Sequence, residues 1–287
     1  MPNYRKKLAV KPGSKIRLKD FDPSYHGKHE SRKGALPEIE ENRQKMDELQ
    51  YLMYAENKHS LLIVLQGLDA GGKDGVVRHV FTGLNPEGCM AVNFKEPTPK
   101  ELAHDFLWRV HPHVPAKGSV VIFNRSHYED VLVARVHGLV PGKIWSKRYD
   151  EINDFERLIT TENNTTILKF FLHISKEEQL ARFKKRLDDS ARQWKISESD
   201  YKEREYWDDY TKAFEDVLTK TSTDHAFWFI IPSNHKWFRD LAISQIIVRE
   251  MEAMGMQFPK PTVNLAEIRR EYHEAAGPGK ANRHKKQ

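Results

Sequence analysis

The chain alternates short runs of consecutive apolar residues with segments whose apolar positions recur at helical spacing. The continuous runs cover 61–66, 90–95, 119–124, 165–174 and 226–231. Each run predicts a short strand, and those at 61–66 and 165–174 predict buried strands. Helical spacing covers 38–57, 125–137 and 143–161, and capping boxes at Thr98 and Ser175 predict two more helix starts, the first helix continuing to Val110. Apolar strands that alternate with helices predict an α/β fold, a parallel β-sheet flanked by helices on both faces.

The first 37 residues differ from this pattern because prolines and glycines interrupt any periodicity. They predict an N-terminal arm that lies over the body. At 287 residues the chain is long enough for a sizeable core, and one large domain over 38–260 is favoured. Residues 261–287 then form a C-terminal helix and a basic tail.

The net charge of +6 is unevenly distributed. Residues 1–19 hold seven Lys and Arg and no acid, residues 276–287 hold four and no acid, and the rest holds 36 basic and 41 acidic residues. Such ends could touch RNA or another polyanion, but solubilising ends are favoured. A single cysteine, with no signal peptide and no apolar run of membrane-spanning length, predicts a cytoplasmic protein without a membrane partner.

A glycine-rich turn joins the first predicted strand to a helix, and it reads GLDAGGKDG over 67–75. Gly67, Gly72 and Lys73 fit the G-x-x-x-x-G-K pattern of a phosphate-binding loop, in which backbone amides, a helix N-terminus and a lysine surround phosphate. Asp74 stands where a Ser or Thr usually holds magnesium. The predicted phosphate-binding residues are Gly67, Ala70, Gly71, Gly72, Asp74 and Gly75.

Asp69 lies inside this loop, four residues before Lys73. A carboxylate among groups that bind phosphate is repelled unless a cation lies between them. Asp69 is therefore predicted to be a magnesium ligand or a base that faces the acceptor phosphate. The alternative is an Asx-type turn contact with the backbone.

A second group of polar and charged residues lies at the end of the strand at 119–124, and it reads NRSHYED over 124–130. Ligands of open α/β sheets bind beyond the carboxyl ends of the strands, and this strand is predicted to neighbour the first. Arg125 would lie at that tip and hold a phosphate with two hydrogen bonds. Glu129 and Asp130 would place a second metal or orient Arg125. The alternative is an ion pair between Arg125 and Glu129 on a helix surface.

The third group is Arg182 and Arg186 on a capped helix, followed by a polar segment with Arg192 and Lys195. It predicts a lid over about 182–200 that brings cations to phosphate groups when the site closes. A solvated charged helix face is the rival interpretation.

These residues together resemble the type 2 polyphosphate kinases, P-loop enzymes similar in fold to thymidylate kinase. The resemblance covers about 35–260 and rests on GLDAGGKDG at 67–75, FNRSHYEDVLVARV at 123–136 and WKISESD at 194–200. It implies phosphoryl transfer from inorganic polyphosphate to a nucleotide, with Mg²⁺ or Mn²⁺. The catalytic residues that it implies are Asp69, Lys73, Arg125, Arg182 and Arg186, with Lys195 at the phosphates and with Asp69, Glu129 and Asp130 at metals.

The run NRSHYED resembles the subgroup that accepts AMP as well as ADP. The resemblance implies that Asn124, Arg125, Tyr128 and Glu129 contact the nucleotide, and it makes a homo-oligomer plausible. Two rivals stay open from the sequence. One is an ATP-dependent nucleoside or nucleotide kinase of the same fold, and the other is a binding protein for polyphosphate or RNA. No specific nucleic-acid partner is expected.

Overall fold

The computed structural model describes residues 3–276. Within them lies a five-stranded parallel sheet with the strand order β2–β3–β1–β4–β5. Its strands are β1 Ser60–Gln66, β2 Cys89–Asn93, β3 Val120–Asn124, β4 Thr165–His173 and β5 Ala226–Pro232. The five strands predicted from the sequence are confirmed, and their ends shift by at most one or two residues.

Helices cover both faces of this sheet. In the described part of the chain they are α1 Tyr4–Leu8, α2 Arg32–Glu56, α3 Lys73–Val80, α4 Pro99–Leu102, α5 Glu129–Val136, α6 Gly142–Trp145, α7 Arg148–Asn163, α8 Lys176–Asp188, α9 Glu198–Glu203, α10 Trp207–Thr221, α11 Lys236–Ala253 and α12 Leu265–Ala276. The predicted α/β class with helices on both faces is confirmed.

Strand β1 shows how the two faces of the core are built. Leu61, Ile63 and Leu65 pack into one apolar cluster with residues of α2, α3 and α11. Leu62 and Val64 pack into a second cluster with residues of α5, α7 and α10. Because successive side chains of a strand point to opposite faces, a run of five aliphatic residues serves both layers.

The register of the sheet brings the ends of β1 and β3 together. Leu65 of β1 pairs with Asn124 of β3, and the Arg125 amide donates to the Leu65 carbonyl at 3.1 Å. The prediction that these two strands are neighbours is confirmed. The glycine-rich turn after β1 and Arg125 after β3 therefore start from adjacent points of one sheet edge.

Four helix predictions need correction. Helix α2 begins at Arg32 and runs through Pro37, because Ser31 caps it by accepting from the Gly34 amide at 3.4 Å. The helix after Thr98 has the predicted capping box but ends at Leu102. The segment at 143–161 forms two helices, α6 and α7, and the segment at 125–137 is helical only from Glu129.

The N-terminal segment packs on the body through backbone and side-chain contacts. Tyr4 is fully buried, Ala9 forms an antiparallel bridge with Phe229, and the Val10 amide donates to the Trp228 carbonyl at 2.8 Å. Residues 257–276 belong to a separate unit that contains α12. The predicted basic tail lies outside the described residues from position 277 onward.

The described residues include no helix with the length and apolar character that a membrane crossing requires.

Candidate active site

The turn between β1 and α3 has a backbone that only glycine fits at two points. Gly67 has φ 154° and Gly72 has φ 108°. A Cβ at Gly67 would lie 2.9 Å from the Leu172 carbonyl oxygen, and a Cβ at Gly72 would lie 2.0 Å from Arg239 Nη1. The glycines therefore allow close approach of other groups to the loop, as well as its left-handed turns.

Lys73 is the first residue of α3, and its side chain is buried against the loop. Its Nζ donates to the Gly67 carbonyl at 2.6 Å and to the Leu68 carbonyl at 3.3 Å. Burial, together with the charge of Arg125, lowers the pKa of Lys73 to about 8, although Asp69 opposes the shift. Lys73 is thus an ammonium group held in place by neutral acceptors.

Arg125 lies opposite this loop, at the tip of β3, with φ 62°. This left-handed residue turns the chain out of the strand, which is why the helix begins only at Glu129. Its Nη2 donates to Asp69 Oδ1 at 2.8 Å and its Nη1 to Glu129 Oε2 at 3.1 Å. Burial alone would lower the pKa of Arg125, but the carboxylates of Glu129 and Asp69 raise it above its ordinary value.

Asp74, in the first turn of α3, faces Asn124 at the end of β3. The Asn124 amide donates to Asp74 Oδ1 at 2.9 Å, and Lys195 Nζ donates to Asp74 Oδ2 at 3.3 Å. These partners hold the pKa of Asp74 below its usual range, although burial acts in the opposite direction. Lys195 thus connects the predicted lid to the first turn of the helix.

The two arginines of the predicted lid have different surroundings. Arg182 is buried, and its Nη1 donates to the carbonyls of Ala70 at 2.8 Å and Gly71 at 3.0 Å. Arg186, one turn further along α8, donates to the Lys195 carbonyl at 3.3 Å and lies 3.5 Å from Asp200. Arg182 therefore supports the loop from a buried position, whereas Lys185, Arg186 and the more distant Arg192 and Lys195 line the cleft with less burial.

These groups line one large cleft at the carboxyl edge of the sheet, with a volume of about 1740 Å³. Among the described residues that line it, fourteen are Lys or Arg and nine are Asp or Glu. The predicted residues Asp69, Lys73, Arg125, Arg182 and Arg186 all belong to this lining. Such a positive excess suits a polyanionic ligand.

A comparison with known proteins identifies the family of this chain. The model of the family described as Polyphosphate kinase 2 matches residues 29–259. The chain belongs to the polyphosphate kinase 2 family.

Relatives and a solved structure agree with that membership. A Meiothermus ruber protein named AMP/ADP-polyphosphate phosphotransferase is 49% identical over 257 residues, which are 89% of this chain and 96% of the relative. A Rhodopseudomonas palustris protein named ADP-polyphosphate phosphotransferase is 41% identical over 273 residues, 90% of this chain and 93% of the relative. The crystal structure of Polyphosphate Kinase 2 from Arthrobacter aurescens TC1 superposes with a TM-score of 0.90 at 38% identity, covering 94% of this chain and 96% of the other.

Besides Arg182, two residues of this polyphosphate kinase 2 chain lie apart from the roles expected for them. The Tyr128 side chain is fully buried, where its hydroxyl donates to Glu156 Oε1 at 2.9 Å and its ring packs against Trp228, so its geometry does not support a nucleotide contact. Asp130 does line the cleft, but its carboxylate lies 3.4 Å from Arg148 instead of near Arg125. Burial raises the pKa of Asp130 to about 6, although Arg148 acts against this shift.

Sequence reasoning missed Arg239, which is buried in α11 and also lines the cleft. Its guanidinium lies against the backbone of Gly72 and is held by Asp240, with Nη2 to Oδ1 at 2.7 Å. No motif surrounds Arg239. The single sequence signal for it is the preceding strand at 226–231, because residues that follow a parallel strand lie at the carboxyl edge of the sheet, where the cleft is.

Proposed function

We propose that this polyphosphate kinase 2 chain transfers a phosphoryl group from inorganic polyphosphate to AMP and to ADP, reversibly. The observation that carries the proposal is that Lys73 and Arg125, which follow adjacent strands, line the same positive cleft, with Asp69 bound to Arg125. The printed names of the two long relatives support the substrates. The rival ATP-dependent kinase of the same fold has no comparable support.

In this mechanism the loop amides and Lys73 bind the terminal phosphate of the donor. The first turn of a helix has amides without intrahelical acceptors, and they add to the charge of Lys73. Arg125 binds the terminal phosphate of the nucleotide and aligns it for in-line attack. Because phosphoryl transfer requires little covalent help from the protein, alignment and charge neutralisation supply most of the rate enhancement.

A divalent cation fits the donor set of this site. Asp69 and Glu129 present carboxylate oxygens that pair with Arg125 at 2.8 and 3.1 Å, and such hard oxygen ligands suit Mg²⁺ or Mn²⁺. No group of three or more His, Cys, Asp or Glu side chains in residues 3–276 could hold a metal alone. Asp69, with Glu129, would hold the ion together with substrate phosphates, where it would neutralise the charge of the phosphates.

Use of AMP as well as ADP rests on the residues beside Arg125. Asn124 donates its amide to Asp74, whereas an aspartate at position 124 would set two carboxylates against each other. In the family resemblance, many members that use only nucleoside diphosphates have Asp in place of Asn124 and a neutral residue in place of Glu129, so these two residues support the use of AMP. We further propose a cytoplasmic enzyme, and a homo-oligomer stays a prediction of the family resemblance.

The deciding experiment incubates the enzyme with polyphosphate, a divalent cation and AMP in the complete absence of ATP. We expect ADP and then ATP to form, and parallel reactions with GMP and GDP measure the base preference. Absence of ADP, with phosphorylation restored by added ATP, would favour the ATP-dependent kinase instead.

Lys73→Ala tests the place of the loop in this mechanism. We expect kcat to fall by about a hundredfold or more, the scale of losing one preorganised charge-stabilising donor. Lys184→Ala is the matched control, because the Lys184 side chain is 75% exposed and pairs with Asp188 on α8. Near-normal turnover of Lys73→Ala would remove the loop lysine from the mechanism.

A further inference from the structure

Asn234, in the connection between β5 and α11, contacts the N-terminal segment with two of its polar groups. Its backbone amide donates to the Pro23 carbonyl at 3.1 Å, and its side-chain Nδ2 donates to Ser24 Oγ at 2.7 Å. The same segment is also held through the Phe21 carbonyl, which lies 3.1 Å from His173 Nε2 at the end of β4. Residues 21–24 are thus fastened to the edge of the sheet from which the cleft opens.

The other two polar groups of Asn234 contact α8. Its side-chain Oδ1 accepts from the Ser175 amide at 3.0 Å, and Ser175 caps α8 by accepting from the Glu178 amide at 3.1 Å. Its backbone carbonyl accepts from Arg182 Nη2 at 3.3 Å, and the neighbouring Ser233 carbonyl accepts from the same nitrogen. Every backbone and side-chain hydrogen-bonding group of Asn234 is therefore used, and the N-terminal segment is joined to both the start and the middle of α8.

Arg182 continues this chain of contacts to the phosphate-binding loop. Its Nη1 donates to the carbonyls of Ala70 and Gly71 at 2.8 and 3.0 Å. Ala70 has φ 58°, a left-handed conformation that an alanine keeps only where its surroundings hold it. The orientation of the peptide groups at 70–72 thus depends on the position of the Arg182 guanidinium, and that position depends in part on the carbonyls of Ser233 and Asn234.

We propose that Asn234 is a positioning residue for phosphoryl transfer, through which the N-terminal segment at 21–24 and Arg182 hold the phosphate-binding loop in its ligand-ready shape. The inference rests on the proposed function in one respect, because the affected ligand is taken to be the terminal phosphate of the polyphosphate donor. Asn234 itself touches no substrate in this scheme. Its side chain, bonded to Ser24 Oγ and to the Ser175 amide, fixes the backbone at 233–234. The carbonyls of that backbone hold Arg182, which in turn donates to the carbonyls of Ala70 and Gly71.

The kinetic test compares Asn234→Ala with a variant that loses a hydrogen bond elsewhere. The control is Asn153→Ala. Asn153 is a half-buried residue of α7, and its Nδ2 donates to the Lys220 carbonyl at 3.0 Å. We expect Asn234→Ala to raise KM for polyphosphate about five- to tenfold, the scale of one or two hydrogen bonds, with KM for AMP within twofold of wild type. Asn153→Ala should change neither KM.

Two further variants separate positioning from general packing. Asn234→Asp keeps an oxygen for the Ser175 amide and can accept from the Ser24 hydroxyl, so it should restore at least half of the wild-type kcat/KM. Ser24→Ala removes the side-chain contact of Asn234 with the N-terminal segment but keeps the backbone hydrogen bond to Pro23, so it should give an intermediate KM for polyphosphate. Equal increases of both KM values in Asn234→Ala, or an unchanged KM for polyphosphate, would overturn the proposal.

A second measurement does not depend on activity. Hydrogen exchange of the ligand-free protein should show faster exchange of amides at 70–73 in Asn234→Ala than in wild type, and no change in Asn153→Ala. Unchanged exchange at 70–73 would overturn the positioning role. If wild type lacked polyphosphate-dependent turnover while Asn234→Ala still loosened the loop, the proposed function would fail and the positioning role would stand.

Discussion

At the scale of single residues, Lys73 is buried and carries the positive charge that binding of polyphosphate, the proposed phosphoryl donor, requires. Its pKa of about 8 means that the ammonium form is lost within an accessible pH range. The profile of kcat/KM reports groups of the free enzyme. We therefore expect the protonation of Lys73 to set the pH dependence of polyphosphate use.

We expect kcat/KM for polyphosphate to fall above pH 8, towards a tenfold loss for each pH unit. The pKa of Arg125 lies above its ordinary value, so KM for AMP should stay constant over the same range and serves as the internal control. Between pH 8 and 10.5 the unfolded chain binds more protons at Lys73 than the folded chain does. The contribution of Lys73 to the free energy of unfolding therefore rises with pH, so unfolding does not account for the loss of kcat/KM. A flat kcat/KM profile to pH 9.5 would contradict this assignment.

The predictability of individual residues depended on what surrounds them in the sequence. Asp69, Lys73 and Arg125 follow predicted strands directly, and the parallel sheet brings such positions to one edge. Tyr128 follows Arg125 by three residues, but the left-handed turn at Arg125 directs that side chain into the core. Local spacing cannot show such a turn, and it does not show Arg239 either, for which the strand at 226–231 is the single signal.

At the scale of elements, a buried ion pair fastens β4 to the helices on one face of the sheet. Lys169 stands in the middle of an apolar strand and is fully buried, with Nζ 2.6 Å from Glu156 Oε2 on α7. It also donates to the Thr221 carbonyl at 2.6 Å, at the end of α10, and to the Tyr128 hydroxyl at 3.0 Å. Burial lowers the pKa of Lys169 although Glu156 opposes the shift, so the lysine depends on this carboxylate to stay charged.

Lys169→Met should lower the free energy of unfolding by about 3–5 kcal/mol, because it leaves the Glu156 carboxylate buried without its cation. Chemical denaturation at neutral pH measures the change. The matched double variant Lys169→Met with Glu156→Leu should recover part of the loss, since it removes the unpaired charge but leaves the Tyr128 hydroxyl and His127 without their acceptor. A single variant within 1 kcal/mol of wild type would show that the pair is not needed for stability.

Elements were predictable where burial alone determines them. Four of the strands are mainly apolar runs, because a parallel sheet covered on both faces buries its central strands. Strand β2 differs, since it lies at an edge of the sheet and its residues are exposed or half-buried. Helix ends were less predictable, since Ser31 starts α2 before Pro37 and the helix after Thr98 ends at Leu102 despite its capping box. Those ends depend on caps and local backbone geometry that apolar periodicity does not contain.

At the scale of the whole molecule, the cleft and the rest of the body carry charge of opposite sign. The body between the two basic ends carries an excess of acidic residues, yet fourteen Lys and Arg line the described cleft against nine acids. A cleft of one sign within a body of the other sign concentrates a polyanion at the site. The basic ends are not required by this arrangement.

Deleting residues 277–287 tests whether the body alone is the enzyme. We expect kcat for AMP with polyphosphate to stay within twofold of the full chain, because Lys73, Arg125 and Arg186 lie far earlier in the sequence and line one cleft of the body. If the four Lys and Arg beyond residue 276 contribute by charge alone, any change in KM for polyphosphate should disappear as salt rises to about 0.3 M. A binding protein for polyphosphate or RNA would instead lose affinity on deletion and show no turnover in either form. Loss of turnover on deletion with binding unchanged would place a required group in the tail and contradict the assignment of catalysis to the body.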